Sequence, residues 1–207
     1  MIIQPDTETL LAVVLGAALA TVGGFTERHV ERLMRRREKA RSAALLFGEI
    51  LSAMRVMMRL ANEARGRGDP YGPVTLRFVR AMQREVEICT RNRETLLDLR
   101  DAQIRANISV LIARLSFSLD GVTDATTELS ALEKAPADGA SASADHSQQA
   151  RAALNETRKT AFDFAVETAA EITPLLTRLA PLAQHDFGAT RSALPADMFD
   201  NPADEPV

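Results

Sequence analysis

An uncharged, almost wholly apolar run occupies residues 10–25, with the sequence LLAVVLGAALATVGGF. In a helix these sixteen residues span about 24 Å, slightly less than the hydrocarbon core of a bilayer, which is about 30 Å thick. A threonine at each end extends the run, and the long side chain of Arg28 can reach back to the headgroups. The run therefore predicts one transmembrane helix at residues 10–26, preceded by a short extracytoplasmic segment, residues 1–9.

Two other interpretations of this run compete with a transmembrane helix. Ala18-Leu19-Ala20 has the small-x-small form of a signal-peptide cleavage site. A signal peptide, however, begins with a positive segment, whereas residues 1–9 contain Asp6 and Glu8 and no lysine or arginine. A buried helix of a soluble domain would rarely lack a polar stripe over sixteen residues. The sequence therefore favours the membrane-spanning helix over both alternatives.

A basic segment follows the apolar run and predicts its orientation. Residues 26–41 carry seven basic and three acidic side chains. Because basic flanks stay on the cytosolic side, we expect the amino terminus outside and the bulk of the chain inside. Arginine outnumbers lysine 22 to 3, which suggests a GC-rich bacterial genome and hence a bacterial inner membrane. Arg35, Arg36 and Arg37 are first of all determinants of topology, and they are also candidate contacts for anionic membrane lipid.

Small residues recur every fourth position within the apolar run, at Ala12, Gly16, Ala20 and Gly24. At this spacing they lie along one face of a helix, where they would let two helix backbones approach closely in lipid. The pattern suggests a homo-oligomer formed through the transmembrane helix. The alternative is that alanine and glycine are simply common in such helices.

Four apolar stripes at helical spacing follow, and the composition agrees with them, since the chain has no tryptophan and one tyrosine. The stripes are Ala43, Phe47, Ile50, Met54, Met57 and Ala61; Leu76, Val79, Met82, Val86 and Cys89; Ile104, Ile108, Leu111, Leu115 and Leu119; and Phe162, Val166, Ala169, Ile172, Leu176 and Leu179. Each stripe covers one side of its helix, so the helices must cover one another. The predicted fold is all-α: the transmembrane helix continues into a cytosolic antiparallel bundle of three or four long helices. A more extended shape, resembling a coiled coil, stays open.

The boundaries of this cytosolic helical domain, residues 27–184, follow from breaker residues. Three glycines and two prolines in GRGDPYGP, residues 66–73, end the first helix. The sequence leaves open whether residues 74–132 form one helix or two. A polar stretch of small residues predicts a flexible linker at residues 135–147, with the next helix starting around Gln148. Pro174 should kink that helix or split it.

The carboxyl-terminal segment, residues 185–207, contains five acidic residues, three prolines and few apolar side chains. We predict a disordered acidic tail there. Within it, Met198 and Phe199 are apolar and flanked by acids, which is the form of a short docking segment. The simpler alternative is a plain solvated tail.

No motif in the chain indicates a catalytic, metal or cofactor site. Arg67-Gly68-Asp69 is interpreted as a helix-ending loop, and its glycine spacing does not match the dinucleotide fingerprint. His29, His146 and His185 are far apart, and no carboxylate-x-x-His pair exists to place two metal ligands on one helical face. Cys89 falls on an apolar stripe, where a cysteine is usually a small core residue. We expect neither cofactor nor metal.

Charge is distributed unevenly along the chain. Residues 1–100 carry a net charge of +5 and residues 101–207 a net charge of −8. The acidic half argues against nucleic acid as a partner, because it would repel phosphate. The sequence therefore predicts a non-catalytic membrane protein whose cytosolic helices mediate protein–protein interaction or scaffolding with an unknown partner. The alternative is an accessory subunit or enzyme whose active site forms only with a partner chain or lipid.

Overall fold

The computed structural model describes residues 7–134 and 141–188, with side chains for residues 15, 16, 30–134 and 146–188. Every regular element in these ranges is helical. The elements are α1 (Thr7–Gly66), α2 (Pro73–Arg91), a short 3-10 helix (Thr95–Asp98), α3 (Ala102–Lys134), α4 (Ser141–Ala170) and α5 (Ile172–Ala183). The prediction of an all-α fold is confirmed.

The helices form an up-down-up-down bundle in which α4 and α5 together act as the fourth helix. The carboxyl-terminal half of α1 packs against α2 and α5, while α3 packs against α2 and α4. Arg65 at the end of α1 contacts Asp163 on α4, whereas Arg41, earlier in α1, donates to the carbonyl oxygen of Ala183 at the end of α5. These two contacts show that α1 and the α4–α5 pair run in opposite directions. The predicted helical bundle is therefore present.

The predicted apolar stripes meet inside this bundle and form one core. Most of their residues are buried, and Met57, Leu76 and Val166 are partly buried and packed against the core. Leu51 and Phe162 are among the largest side chains with almost no exposed surface. Each such aliphatic or aromatic side chain stabilises the fold by about 1.5–3 kcal/mol through its removal from water. The bundle is held together by this shared apolar core.

The segment that the sequence left open, residues 74–132, consists of two helices. α2 ends at Arg91, and the chain passes through the 3-10 helix before α3 begins at Ala102. Asp101 starts α3 by accepting hydrogen bonds from the backbone N–H groups of Gln103 (2.8 Å) and Ile104 (3.2 Å). This capping satisfies two amides that a helix start would otherwise leave without partners.

The fourth helix begins earlier than predicted, whereas its division near Pro174 agrees with the prediction. It begins at Ser141 rather than near Gln148, so the second half of the predicted linker, residues 135–147, is helical, while residues 135–140 lie outside the described part. Alanine, serine and glutamine without glycine or proline permit this extension from the packed part of the helix. Of the predicted kink or split at Pro174, the structure shows the split. Pro174 lies in the first turn of α5, where its missing N–H costs nothing.

The first residues of the predicted disordered tail pack against the bundle, which corrects that boundary. Gln184, which follows the last residue of α5, has a left-handed conformation, and the chain then turns back so that Phe187 is only 3% exposed. A methyl group at Gly48 of α1 would lie 2.0 Å from Cζ of Phe187, so only a glycine leaves room for the ring. Arg55 also donates to the carbonyl oxygen of Phe187 at 3.2 Å. Residues 189–207, including the predicted docking segment at Met198 and Phe199, lie outside the described residues.

The amino-terminal part of α1 is a continuous helical backbone from Thr7 into the bundle. In the part of the chain that the structure describes, no helix contains an apolar stretch of the length and hydropathy that a bilayer crossing requires. Most side chains of residues 10–26 lie outside that part. The prediction of a transmembrane helix at residues 10–26 therefore gains no support from the structure.

Candidate functional site

An apolar groove runs along the outer surface where α3 and α4 pack together, and we call it the α3/α4 groove. It has two adjoining parts with cavity volumes of about 530 and 600 Å³. Apolar side chains dominate its lining: Phe117, Gly121, Ala131, Leu132, Ala150, Ala153, Leu154, Ala161 and Phe164. Phe117 is 78% exposed. A monomeric soluble surface rarely leaves a phenylalanine this exposed within a contiguous apolar patch.

Local packing explains the shape of this groove. A methyl group at Gly121 would lie 3.2 Å from Cβ of Ala161, so α3 and α4 approach closely at this point. Small residues line the floor, and Phe117 stands beside it as a large exposed ring. Two acidic side chains, Glu128 and Glu156, also line the groove. The groove is therefore apolar at its centre and carries negative charge at its border.

Phe164 lies at the end of the α3/α4 groove opposite Leu132, and charged neighbours hold it in place. The guanidinium of Arg114 lies 4.9 Å from the centre of the Phe164 ring, in cation–π geometry. Arg114 also pairs with Glu171 at 2.5 Å between Nη1 and Oε1. The positive charge at this end is thus partly neutralised within the chain.

A second concave region lies at the end of the bundle where α1 passes into α2, and we call it the arginine pocket. Its volume is about 550 Å³. Four arginines from two helices line it, Arg77 and Arg80 from α2 and Arg151 and Arg158 from α4. The rest of the lining comes from the loop before α2, from the first turn of α2, from α3 and from α4: Tyr71, Gly72, Pro73, Leu76, Thr126, Leu129, Ser130, Glu133 and Asn155.

Tyr71 organises one wall of the arginine pocket. Its backbone has φ of 62°, a left-handed conformation that residues other than glycine rarely adopt. The ring contacts Phe162 edge-on, with the ring centres 5.8 Å apart, and Arg158 lies over the Tyr71 ring at 4.2 Å. Burial lowers the pKa of the Arg158 guanidinium. The loop thus fixes an aromatic surface on which an arginine is stacked.

The loop of residues 66–73 ends α1 as the sequence predicts, and it also begins α2. The Oδ2 atom of Asp69 accepts hydrogen bonds from the backbone N–H groups of Val74 (3.0 Å) and Thr75 (3.1 Å). The Asp69 carbonyl oxygen accepts a further bond from the Thr75 hydroxyl at 2.8 Å. Asp69 is therefore engaged within the chain as a helix cap.

A smaller cavity of about 280 Å³ adjoins Cys89, between α1, α2 and α3. Burial raises the pKa of the Cys89 thiol to about 12, and the nearby charge of Glu85 adds to this effect. Its neighbours Thr90 and Ser109 each donate to a backbone carbonyl oxygen of their own helix, at 2.9 Å in both cases. Burial thus favours the protonated thiol of Cys89, and the hydroxyls of Thr90 and Ser109 are bonded to the backbone.

The lipid-contact residues predicted from the sequence lie on α1 outside the bundle. Arg35, Arg36 and Arg37 are exposed, and Arg35 pairs with Glu31 four residues earlier. Of the four residues of the predicted helix-packing face, Ala12, Gly16, Ala20 and Gly24, only Gly16 has its surroundings described, and nothing lies within 4 Å of a Cβ built there.

The structure gives the surroundings of two of the three histidines. His146 and His185 are exposed on α4 and just after α5, and His29 lies among the side chains outside the described set. Among the side chains that the structure describes, no three histidine, cysteine or carboxylate groups come together as a metal site.

No family model, curated protein or solved structure matches the chain. The α3/α4 groove and the arginine pocket are therefore the features that indicate function. Sequence reasoning missed both. The helical spacing of Arg77 with Arg80 and of Arg151 with Arg158 was visible, but it is also typical of a solvated helix face. Only the packing of the helices brings these residues to one pocket.

Proposed function

We propose that the chain is a non-catalytic membrane-anchored protein whose helical bundle lies on the cytosolic side and binds a partner protein in the α3/α4 groove. The observation that carries this proposal is the 78% exposure of Phe117 within a contiguous apolar groove. Burying such a ring against a partner is worth about 1.5–3 kcal/mol, which favours association.

Support for the anchor comes from the sequence. The apolar run of residues 10–25 is followed by a basic segment, the arrangement that places the following chain in the cytosol. Residues 30–42 of α1 are nearly all exposed and precede the part of α1 that packs in the bundle. An exposed basic helix between the anchor and the bundle is well placed to lie near anionic headgroups. Pairing of two anchors through Ala12, Gly16, Ala20 and Gly24 is part of the same hypothesis.

The groove favours one kind of partner, an amphipathic helix with basic residues beside its apolar face. Two antiparallel helices with a floor of small residues form a channel into which the apolar face of a third helix can pack. Glu128 and Glu156 at its border are charge-complementary to lysine or arginine on such a helix. The same border disfavours an acidic helix.

Fractionation of cells tests the anchor. The full chain should sediment with membranes and stay there in alkaline carbonate, whereas the double variant V14R/L19R should be released, because each central arginine opposes insertion by about 2.5–3.5 kcal/mol. The substitution Val30→Arg, outside the apolar run, is the matched control and should stay in the membrane. A full chain that remains in the supernatant would show that the anchor is wrong.

Site-specific photocrosslinking tests the groove in the membrane-bound full chain. A photoreactive residue at position 117 or 153 should trap the same partner protein. Leu97 is the matched control, because it is an apolar residue on the 3-10 helix with 74% exposure and lies outside the groove.

The crosslinked peptide of the partner should be helical with basic residues beside its apolar face. The substitution Phe117→Glu should abolish the adduct formed from position 153. Equal trapping from position 97, or adducts only between two copies of this chain, would contradict the proposed partner.

A further inference from the structure

We propose that the arginine pocket binds a small oxyanion of the phosphate class that carries two or more negative charges. Four guanidinium groups line this cavity, and Glu133 is the single carboxylate among its lining residues. An excess of three positive charges in a concave region focuses the field and attracts a multiply charged anion. This ligand site is separate from the α3/α4 groove.

The arginines of the pocket have hydrogen-bond donors to spare. Arg77 and Arg80 form no ion pair within the part of the chain that the structure describes. Arg151 donates to the carbonyl oxygen of Leu132 at 3.2 Å, which uses one of its five N–H groups. Arg158 donates from Nη2 to Asn155 Oδ1 at 2.7 Å, while its Nε is buried without a partner. A buried donor without a partner costs free energy, and this donor belongs to an arginine that lines the pocket.

The pocket is built on fixed elements. Arg158 is stacked on the Tyr71 ring, and that ring rests against Phe162, which is completely buried in the core. The left-handed backbone at Tyr71 is strained, and such strain is concentrated at functional sites. A stacked guanidinium has lost much of its rotamer freedom already, so binding an anion orders it at low cost.

The donor set indicates the phosphate class. Planar guanidinium forks match the geometry of phosphate oxygens, to which they donate two parallel hydrogen bonds. The first amides of α2, at Val74 and Thr75, are already bound by Asp69, so the arginines supply the donors. A cavity of about 550 Å³ lies within the range of small-molecule sites and has room for a diphosphate.

The phosphate could come from a soluble anion or from a lipid headgroup, and the length of α1 favours the soluble source. Arg65 is forty residues after Phe25, so the pocket lies about 60 Å along the helix from the end of the apolar run. This distance argument rests on the proposed anchor, whereas the charge and geometry of the pocket do not.

Isothermal titration of the full chain in nanodiscs of neutral lipid, with pyrophosphate as the probe, tests the proposal. The double variant R77Q/R80Q should weaken binding at least about tenfold, because hydrogen bonds between charged groups are lost. R84Q is the matched control, since Arg84 is exposed on the same helix one turn after Arg80 and does not line the pocket. It should bind pyrophosphate as the unaltered chain does.

Two results would contradict the proposed phosphate site, and a third would change the assigned source of the phosphate group from a soluble anion to a lipid headgroup. Absence of binding, or equal weakening by R84Q and R77Q/R80Q, would overturn it, with circular dichroism confirming that both variants are folded. Repeating the titration in nanodiscs of anionic phosphatidylglycerol distinguishes the sources: unchanged affinity supports a soluble anion. Loss of pyrophosphate binding by the unaltered chain in these anionic nanodiscs would overturn the soluble source and assign the pocket to a headgroup.

Discussion

The two halves of α1 belong to one continuous helix but differ in how far their apolar side chains are buried. From Ala43 to Ala61 the helix has a periodic apolar stripe, and all of its residues except the partly buried Met57 are buried in the bundle, where this part of α1 packs against α2 and α5. In the preceding segment, residues 30–42, the apolar side chains Val30, Leu33 and Met34 are exposed beside many charges. Helical backbone alone therefore says little about a segment's role. The arrangement of apolar residues around the helix decides whether it packs into a core.

The sharpest test of this comparison places the same charge in both halves. Met54 is completely buried, whereas Met34 is 65% exposed. The substitution Met54→Asp should lower the free energy of unfolding by more than about 4 kcal/mol, because it buries an unpaired carboxylate in an apolar core. Met34→Asp should change it by less than about 0.5 kcal/mol. Denaturant titration of the full chain in detergent, followed by circular dichroism, measures both.

Comparable losses from the two methionine variants would show that residues 30–42 are packed as tightly as the second half of α1. That result would contradict the division of the helix described above. Equally small losses would instead show that the stripe from Ala43 to Ala61 does not form a core.

The second prediction concerns the chain that returns to the packed half of α1 after α5. Phe187→Ala should lower the free energy of unfolding by about 3 kcal/mol, as is usual when a buried phenylalanine is truncated. Leu97→Ala, at a side chain that is 74% exposed, should leave it nearly unchanged. Thermal unfolding of both variants measures the difference. Equal stability of the Phe187→Ala variant and the unaltered chain would show that the ring is not part of the core.

The sequence predicted the elements with strong periodicity or strong breakers. The stripes from Ala43 to Leu179, the end of α1 at the glycine- and proline-rich loop and the division near Pro174 all follow from local rules. These rules depend on residues close together in the chain, so a single sequence reveals them.

Features that depend on distant residues were not predictable in this way. Phe187 is one aromatic residue among polar neighbours, and its burial depends on the space left by Gly48, far away in the chain. The break between α2 and α3 contains neither glycine nor proline, so local rules left open whether it exists. The arginine pocket needs α2 and α4 to meet beside Tyr71, and its arginines would otherwise resemble ordinary solvated residues.

The third prediction uses Cys89, which lines a cavity together with Phe47 of the packed half of α1. The thiol pKa is raised from 9.0 to about 12 in the folded chain, so the unfolded chain loses its proton first as the pH rises. The resulting stabilisation of the folded state is complete below pH 9 and is lost as the pH rises toward the folded pKa. By pH 10 the loss should be about 1 kcal/mol.

Unfolding measured at pH 8 and at pH 10 checks this, with Cys89→Ala as the control. The alanine variant should lose less stability between the two pH values than the unaltered chain, whatever its stability at pH 8. An identical loss of stability between pH 8 and pH 10 in the two chains would show that Cys89 ionises as freely in the folded chain as in the unfolded one.

The smallest effect on stability is expected from a substitution of Asp101, at the end of the bundle where the two halves of α1 meet. α5 reaches Arg41 at its end, and Arg178 of α5 pairs with Asp101 at 3.0 Å. Hydrogen bonds from the backbone of Ile104 lower the pKa of the exposed Asp101 carboxyl, with further contributions from Gln103 and from Arg178. A carboxyl whose pKa is lower in the folded chain stabilises the fold above its unfolded pKa and loses this effect as the pH falls through the folded value.

The substitution Asp101→Asn keeps a capping oxygen but removes the charge, so it should slightly reduce stability at neutral pH and leave it unchanged at strongly acidic pH. Because the group is exposed, water and salt screen its interaction with Arg178, and the effect should shrink further in high salt. Thermal unfolding at two pH values and two salt concentrations measures this. A loss as large as that of Phe187→Ala would mean that this end of the bundle depends on charge as much as the core depends on the Phe187 ring.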